Sequence, residues 1–195
     1  MNLSEIPYNM KFTFGPNLRE IPVNKMDMLH GMMYIQNELR KEDTSTNEEK
    51  GNLHGTLGSF LRIIGELDDS ERHIKKAISI AENTGNIGSA FYNKLRLAHT
   101  HQWKNEFDIS NRIFRELIDQ AEEDPDYSAY LDFAYEHQGK NLFDQGKYDQ
   151  AIEYFQNALD IRKQDGNEEL IKLTESAIES TRKKQNELDH NTKSR

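Results

Sequence analysis

The chain has 195 residues, a formal net charge of -9 and no cysteine, and its length suggests one domain or one short repeat array. Hydrophobic residues make up 35% of the chain and charged residues 30%, a composition that is lean in apolar residues but sufficient for a thin helical array. The negative charge disfavours non-specific nucleic-acid binding and favours a basic partner, and the absence of cysteine excludes disulfides and thiolate metal sites.

We do not expect the N-terminal segment to act as a signal peptide. Charges at Glu5, Lys11, Arg19 and Glu20 leave no apolar core of the length that a signal peptide needs. No stretch of the chain approaches 18 uncharged apolar residues, so we expect a cytoplasmic protein that does not interact with a membrane. Three of the four prolines also lie in this segment, and we expect residues 1–23 to form an extended N-terminal arm, with a short strand-like piece at 10–14.

The first predicted helix begins after Asn24, whose side chain is suited to capping it. Its apolar residues recur at spacings of four, three and four and therefore share one face: Met28, Met32, Ile35 and Leu39. A polar loop is predicted over residues 41–49. Within this loop, Thr46 and Glu49 have the spacing of a capping box, which predicts the start of the next helix.

Helical periodicity continues from this point to residue 188. The third helix is expected to start at Asp68 or Asp69 and to be terminated by Gly85, the sixth to include Tyr127, and the seventh to end at Gly166. No alternating strand pattern of useful length follows residue 22. We therefore predict an all-α array over 24–188, with one leading helix, hairpins at about 50–85, 87–124 and 127–165, a capping helix at 168–188, and a polar tail at 189–195.

The three predicted hairpins share one register, with periods of 40 and 41 residues. A small residue in the first helix of each pair allows close helix approach: Gly58, Ala98 and Gly139. The turn position holds residues that tolerate unusual backbone geometry: Gly65, Asn105 and Gly146. A large apolar residue fills the corresponding place in the second helix: Ile74, Phe114 and Phe155. This regularity predicts a repeat architecture, which is typical of proteins that offer surfaces to partners.

The third hairpin, over residues 133–159, resembles the tetratricopeptide repeat (TPR) family. Its signature positions are Gly139, Gly146, Tyr148, Ala151, Phe155 and Ala158. The resemblance covers about residues 50–165, with two more divergent copies before this one. The usual repeat of this family has about 34 residues, whereas the periods here are 40 and 41 residues. This longer period is similar to that of bacterial peptide-pheromone receptors of the Rap type and of kinesin-light-chain-like scaffolds. The resemblance to the TPR family implies a TPR-like α-α superhelix of helical hairpins with an N-terminal extra helix and a C-terminal capping helix.

Ligands of this family usually lie in a concave groove lined by the first helix of each hairpin. The resemblance therefore implies a protein or peptide partner, no enzymatic activity and no cofactor. The groove-type positions that we expect to contact the partner are Arg62, Tyr92, Arg96, His99, Trp103, Glu136, His137 and Lys140. Arginine, tyrosine and tryptophan are enriched among residues that dominate binding energies. Gly55 and Ser59 stand where chaperone-binding members have clamp residues, so recognition of chaperone tails is not expected.

Three alternatives remain open. A regulatory receptor for a short signalling peptide is favoured by the repeat length, although the chain shows no DNA-binding or catalytic domain to regulate. An enzyme would use a glutamate or histidine of the groove, but His99 and His137 lack further ligands at metal-site spacing and no catalytic triad is evident, so we predict neither a metal site nor catalysis. A self-assembling structural protein would stack its exposed end hairpins on those of other chains, which would give a homo-oligomer.

Overall fold

Eight α-helices and a small N-terminal β-hairpin form the described part of this computed structural model, residues 5–41 and 46–193. Side chains are described up to residue 188. The first four residues of the predicted arm, residues 42–45 of the predicted polar loop and the last two residues of the predicted tail lie outside the described residues.

The N-terminal β-hairpin occupies the segment for which the sequence predicted an extended arm. Strand β1 (Phe12–Phe14) pairs in antiparallel fashion with β2 (Glu20–Pro22). The ladder is closed by a hydrogen bond from the Val23 N–H to the Lys11 carbonyl, at 3.0 Å. Strand β1 lies within the predicted strand-like piece, whereas β2 was not predicted, because a strand of three residues is too short to show alternation.

The helices follow one another along the chain and pack as consecutive neighbours, which makes the fold an all-α, TPR-like array of helical hairpins. Their bounds are α1 (Lys25–Leu39), α2 (Asn47–Ile64), α3 (Leu67–Asn83), α4 (Ile87–Trp103), α5 (Phe107–Glu123), α6 (Leu131–Asp144), α7 (Tyr148–Asp165) and α8 (Glu168–Lys193). Across the described ranges, no helix combines the length and the apolar content that crossing a bilayer requires.

The chain divides into two compact units. The first unit comprises Met1–Gly15 and Arg19–Ser110, and so includes both strands and helices α1 to α4. Its main hydrophobic cluster combines two residues that precede β1 with the inner faces of α1 and α2: Ile6, Met10, Met28, Met32, Ile35, Leu53, Leu57, Phe60, Leu61 and Ile63. The methionines at the predicted inner positions of the first helix are therefore core residues.

The second unit comprises Pro16–Leu18 and Asn111–Arg195. Its hydrophobic cluster joins α6, α7 and α8, and Leu18 is also a member: Leu18, Leu142, Phe143, Ala151, Phe155, Leu159, Ala177 and Ile178. Apolar contacts between successive helices thus form this core too, as expected when each helix buries one stripe against its neighbours.

The turn position of the predicted register has the same backbone conformation in all three copies. Gly65, Asn105 and Gly146 have φ angles of 94°, 60° and 72°, a left-handed region that favours glycine and tolerates asparagine. The small residue before each turn has a clear role in two copies. A Cβ atom at Gly58 would lie 2.5 Å from Ile74 Cγ1, and one at Gly139 would lie 2.6 Å from Phe155 Cε1. Close helix approach therefore requires glycine there.

The predicted helix starts are confirmed where a capping side chain marks them. Asn24 accepts hydrogen bonds from the backbone N–H groups of Met26 and Asp27. Thr46 and Glu49 form the reciprocal bonds of a capping box, so α2 begins at Asn47, inside the predicted loop.

Other helix ends differ from the prediction. Helix α3 begins at Leu67, because the chain re-enters a helix directly after the left-handed residue Gly65, and the aspartates at 68 and 69 lie in its first turn. Tyr127 precedes a short 3-10 helix, and α6 begins only at Leu131. Helix α8 continues to Lys193, through most of the segment predicted as a polar tail. Gly166 ends α7 in a left-handed conformation, as predicted.

Candidate partner-binding site

Arg62, near the C-terminal end of α2, forms a buried ion pair with the N-terminal β-hairpin. Its Nη1 and Nη2 atoms donate to the two carboxylate oxygens of Glu20 on β2, each at 2.8 Å. Arg62 is only 4% exposed and Glu20 8%. A bidentate pair of this kind fixes both side chains and is stronger than a neutral hydrogen bond.

Trp103, the last residue of α4, lies beside two guanidinium groups. The Cζ atom of Arg62 is 4.7 Å from the centroid of the indole ring, and that of Arg19 is 5.1 Å from it. Both distances lie in the range of cation–π attraction. The ring of His99 packs edge-on against the indole, with centroids 6.2 Å apart. The first unit thus brings three of the predicted site residues together, and Arg19 and Glu20 of the N-terminal β-hairpin join them.

Arg96 adds a second, half-buried arginine to the first unit. Its Nη1 atom donates to Asn93 Oδ1 at 3.0 Å. Among the residues that the structure describes, no carboxylate forms an ion pair with Arg96. Burial lowers the pKa of Arg96, and the like charge of Arg62 lowers it further. Tyr92, one turn earlier on α4, is half-buried. This region is therefore rich in positive charge, although the chain as a whole is acidic.

The predicted site residues of the second unit lie on α6. The Lys140 Nζ atom is 3.2 Å from Glu136 Oε1, and Arg162 Nη1 on α7 donates to Glu136 Oε2 at 3.0 Å. Burial acts to raise the pKa of Glu136, but the charges of Lys140 and Arg162 together hold it below its usual value. His137 is half-buried and its ring stacks on Phe114, with centroids 6.5 Å apart. Glu136 and Lys140 are thus brought together, whereas His137 makes a separate contact.

Arg162 was not predicted, yet it is the centre of a buried polar network. Its Nε atom donates to Asp132 Oδ2 at 2.8 Å, its Nη1 atom also reaches the Thr174 hydroxyl on α8, and its Cζ atom lies 5.4 Å from the ring centroid of Phe133. A signal was present in the sequence. Arg162 follows Phe155 and Leu159 on the same helical stripe, and a charge on an apolar stripe indicates a buried pair.

Two histidines outside the predicted site form a close pair in the first unit. The Nδ1 atoms of His54 on α2 and His73 on α3 are 2.8 Å apart, so one ring donates and the other accepts. Burial lowers the pKa of His54 to about 4 and also lowers that of His73. In the part of the chain that the structure describes, no group of three or more histidine, aspartate or glutamate side chains is arranged to hold a metal ion.

Comparison with protein families identifies one repeat. Residues 132–165 match the family model of the tetratricopeptide repeat, a span that holds α7 and all but the first residue of α6. A search of curated proteins gave no match. The repeat match and the array of helical hairpins together support a TPR protein, a class whose members generally mediate protein–protein interactions without catalysis. The longer Rap-type period remains a prediction.

Proposed function

We propose that this protein is a non-enzymatic binding module in the cytoplasm that holds a protein or peptide partner against the first helices of its hairpins. The observation that supports the proposal most directly is the TPR match at residues 132–165 within an array of helical hairpins. Repeat arrays bury only the contacts between neighbours and leave extended helix faces for partners.

The composition of the first-helix faces supports this proposal. In the first unit, Tyr92, Arg96 and Trp103 combine aromatic surface with positive charge on one helix, α4. Tyrosine, arginine and tryptophan are the residues that most often dominate binding energy when a partner covers them. In the second unit, the largely buried ion pair of Glu136 and Lys140 fixes the charge of the α6 face, and such charges favour specificity and register more than affinity.

Charge pairing on α6 also favours binding over catalysis. A general acid must release a proton near neutral pH, which requires a carboxyl group with a raised pKa. The lowered pKa of Glu136 makes it a poor general acid, because Lys140 and Arg162 stabilise its ionised form. Its chemistry suits a fixed negative charge.

Affinity capture with a matched pair of arginine variants tests the proposal. The full chain would be immobilised and exposed to lysate of the source cells, and captured proteins would be identified by mass spectrometry. The test variant is Arg96→Ala on α4, and the control is Arg112→Ala, an exposed arginine on α5. We expect Arg96→Ala to lose a specific partner that Arg112→Ala retains, with unchanged circular dichroism for both.

Other outcomes of the capture experiment have distinct meanings. Equal recovery by both variants would contradict binding through the first-helix face. An empty capture together with mass that rises with protein concentration would favour the self-assembling alternative. A dissociable peptide, released on heating and found in the wild-type preparation only, would favour the regulatory peptide receptor.

A further inference from the structure

The N-terminal β-hairpin covers part of the face that we propose for partner binding. Strand β2 packs against α2, and its Glu20 binds Arg62, which is 42 positions further along the chain. The preceding residue, Arg19, lies over Trp103. Arg62 and Trp103 both belong to first helices and both are predicted partner contacts. A segment from outside the helical array therefore occupies this part of the proposed site.

Glu20 leaves hydrogen-bond donors of the site unused. The Nε–H of Arg62 and the Nε1–H of Trp103 are buried and have no hydrogen-bond partner within the described structure. Buried donors without acceptors are rare in native proteins and call for an explanation. Because the carboxylate of Glu20 engages Nη1 and Nη2 of Arg62, a second acceptor group is needed to reach the remaining donors.

The charge of the site identifies the kind of group that fits. Arg62 lies against Trp103, and the like charge of Arg62 acts on Arg96, whereas Arg19 belongs to the N-terminal β-hairpin and leaves the site together with Glu20. A ligand that brings more than one negative charge relieves the repulsion between Arg62 and Arg96 and satisfies the unused donors. The net charge of -9 opposes such a ligand at long range, but screening over about 8 Å at physiological salt limits that effect.

We propose that Arg62, Arg96 and Trp103 form a recognition site for an acidic, extended segment of a partner protein, and that Glu20 occupies this site when the partner is absent. The inference rests on the proposed function and specifies the chemistry of its partner. One partner carboxylate replaces Glu20 on the Arg62 Nη atoms, and a second accepts from Arg62 Nε or Trp103 Nε1. Occupancy by the N-terminal β-hairpin lowers the apparent affinity of the partner.

A titration followed by tryptophan fluorescence tests this inference, because Trp103 is the only tryptophan in the chain. The probe is a synthetic peptide that copies residues 12–22 with Pro22→Glu, so that two carboxylates lie on one side of an extended chain. Its twin carries glutamine at both acidic positions. The proteins are the full wild-type chain, the Glu20→Gln variant, and Glu116→Gln as a control with the same change of net charge on an exposed face of α5.

We expect Glu20→Gln to bind the diacidic peptide at least ten-fold more tightly than wild type or Glu116→Gln does, and the glutamine twin to bind none of them measurably. Equal affinities for wild type and Glu20→Gln, equal binding of the twin, or no binding of the probe at millimolar concentration would each overturn the inference. A folded Glu20→Gln variant is verified by circular dichroism.

A second measurement on the wild-type chain avoids any effect of substitution on folding. With the diacidic peptide in saturating excess, hydrogen exchange of the Gly15 and Val23 amides should accelerate, because their hydrogen bonds close the N-terminal β-hairpin. Unchanged exchange with the peptide bound would overturn displacement of the hairpin. The proposed function and this inference can fail separately. If the wild-type chain captures a partner that Arg96→Ala loses, but Glu20→Gln captures no more of it than wild type does, the proposed function stands and only the inference is contradicted.

Discussion

The two units each bury an arginine, and they neutralise it by different means. Arg62 of the first unit is 4% exposed and is paired by Glu20 on a three-residue strand outside the helical array. Arg162 of the second unit is 2% exposed and is paired by Asp132 and Glu136 on the preceding helix. Similar burial is therefore achieved once with a separate segment and once within the repeat itself.

This difference indicates which pair can be exchanged. Asp132 and Glu136 lie on α6, which packs on α7, so we expect that neither carboxylate can leave Arg162 without disrupting the helical hairpin. Glu20 is held by two short strands and the contacts of the residues that flank them. A buried pair between packed helices serves the fold, whereas a buried pair with a carboxylate from outside the helical array is suited to competition.

Replacing Arg162 should give the largest effect. Arg162→Met leaves Asp132 buried without a countercharge and Glu136 with Lys140 alone, which we expect to destabilise the second unit by about 3–5 kcal/mol. Urea denaturation followed by circular dichroism measures the loss. Lys163→Met, at the exposed neighbouring position, should change stability by less than about 0.5 kcal/mol. A loss below about 1 kcal/mol for Arg162→Met would show that the network is not important for the fold.

Replacing Arg62 should cost less, although this arginine is nearly as buried. Arg62→Met frees Glu20, and the N-terminal β-hairpin can carry that carboxylate back into water. We therefore expect a loss of about 2 kcal/mol, below the usual range for breaking a buried pair. Denaturation followed by Trp103 fluorescence reports on this unit. Equal losses for Arg62→Met and Arg162→Met would contradict the distinction between the two pairs.

As the pH falls, the first unit should begin to lose stability at a higher pH than the second unit. Burial holds the pKa of His54 at about 4, below the value near 6.5 of an unfolded chain. Protons thus bind the unfolded state first, so this stability is complete above pH 6.5 and is lost as pH falls towards 4, by about 1–2 kcal/mol. The pKa of Glu136 is also lowered, from an ordinary value of 4.5, so its contribution is lost only below that pH.

Hydrogen exchange at several pH values can follow the two units separately in acid. His54→Gln should flatten the pH dependence of the first unit, because glutamine does not titrate. His30→Gln, at an exposed position of α1, should leave it unchanged. Lys76 and Arg72 also face the histidine pair and disfavour its protonation, while Asp69 favours it. Parallel acid profiles for the two units would contradict this expectation.

Replacing the turn glycines by alanine should cause the smallest loss of stability, and the loss should be similar in the two units. Among the described residues, no atom beyond the adjacent ones lies within 4 Å of a Cβ built at Gly65 or Gly146, so alanine there costs only the strain of a left-handed backbone, about 1 kcal/mol. Thermal denaturation of Gly65→Ala and Gly146→Ala measures both costs. Asn105→Gly, at the same register position, should change stability less, because asparagine already tolerates a φ of 60°. A much larger loss at one glycine would reveal a role beyond the turn.

The parts of the fold that depend on local chemistry could be predicted from the sequence. A capping box needs only Thr46 and Glu49, and the shared turn conformation of Gly65, Asn105 and Gly146 follows from residue type and spacing. The start of α3 was misplaced because no side chain caps it. The helix ends were therefore predicted correctly where a local sequence signal marks them.

The candidate site was less predictable, because its contacts join residues that are far apart in the chain. Arg62 was expected to face a partner, but nothing local indicated that Glu20 would reach it across 42 positions. Strand β2, which positions Glu20, has only three residues and no alternating pattern. Arg162 was overlooked because an arginine on a helix is usually solvated. Whether the eight predicted residues contact a partner remains a prediction.

The same pairing has a consequence for the order of events during synthesis. Glu20 is translated 42 residues before Arg62, which at 5–20 residues per second corresponds to roughly 2–8 seconds. Trp103, against which Arg19 packs, is translated later still. The acidic residue of the N-terminal β-hairpin therefore leaves the ribosome before its binding site exists. During this interval it is available to chaperones and to other nascent chains.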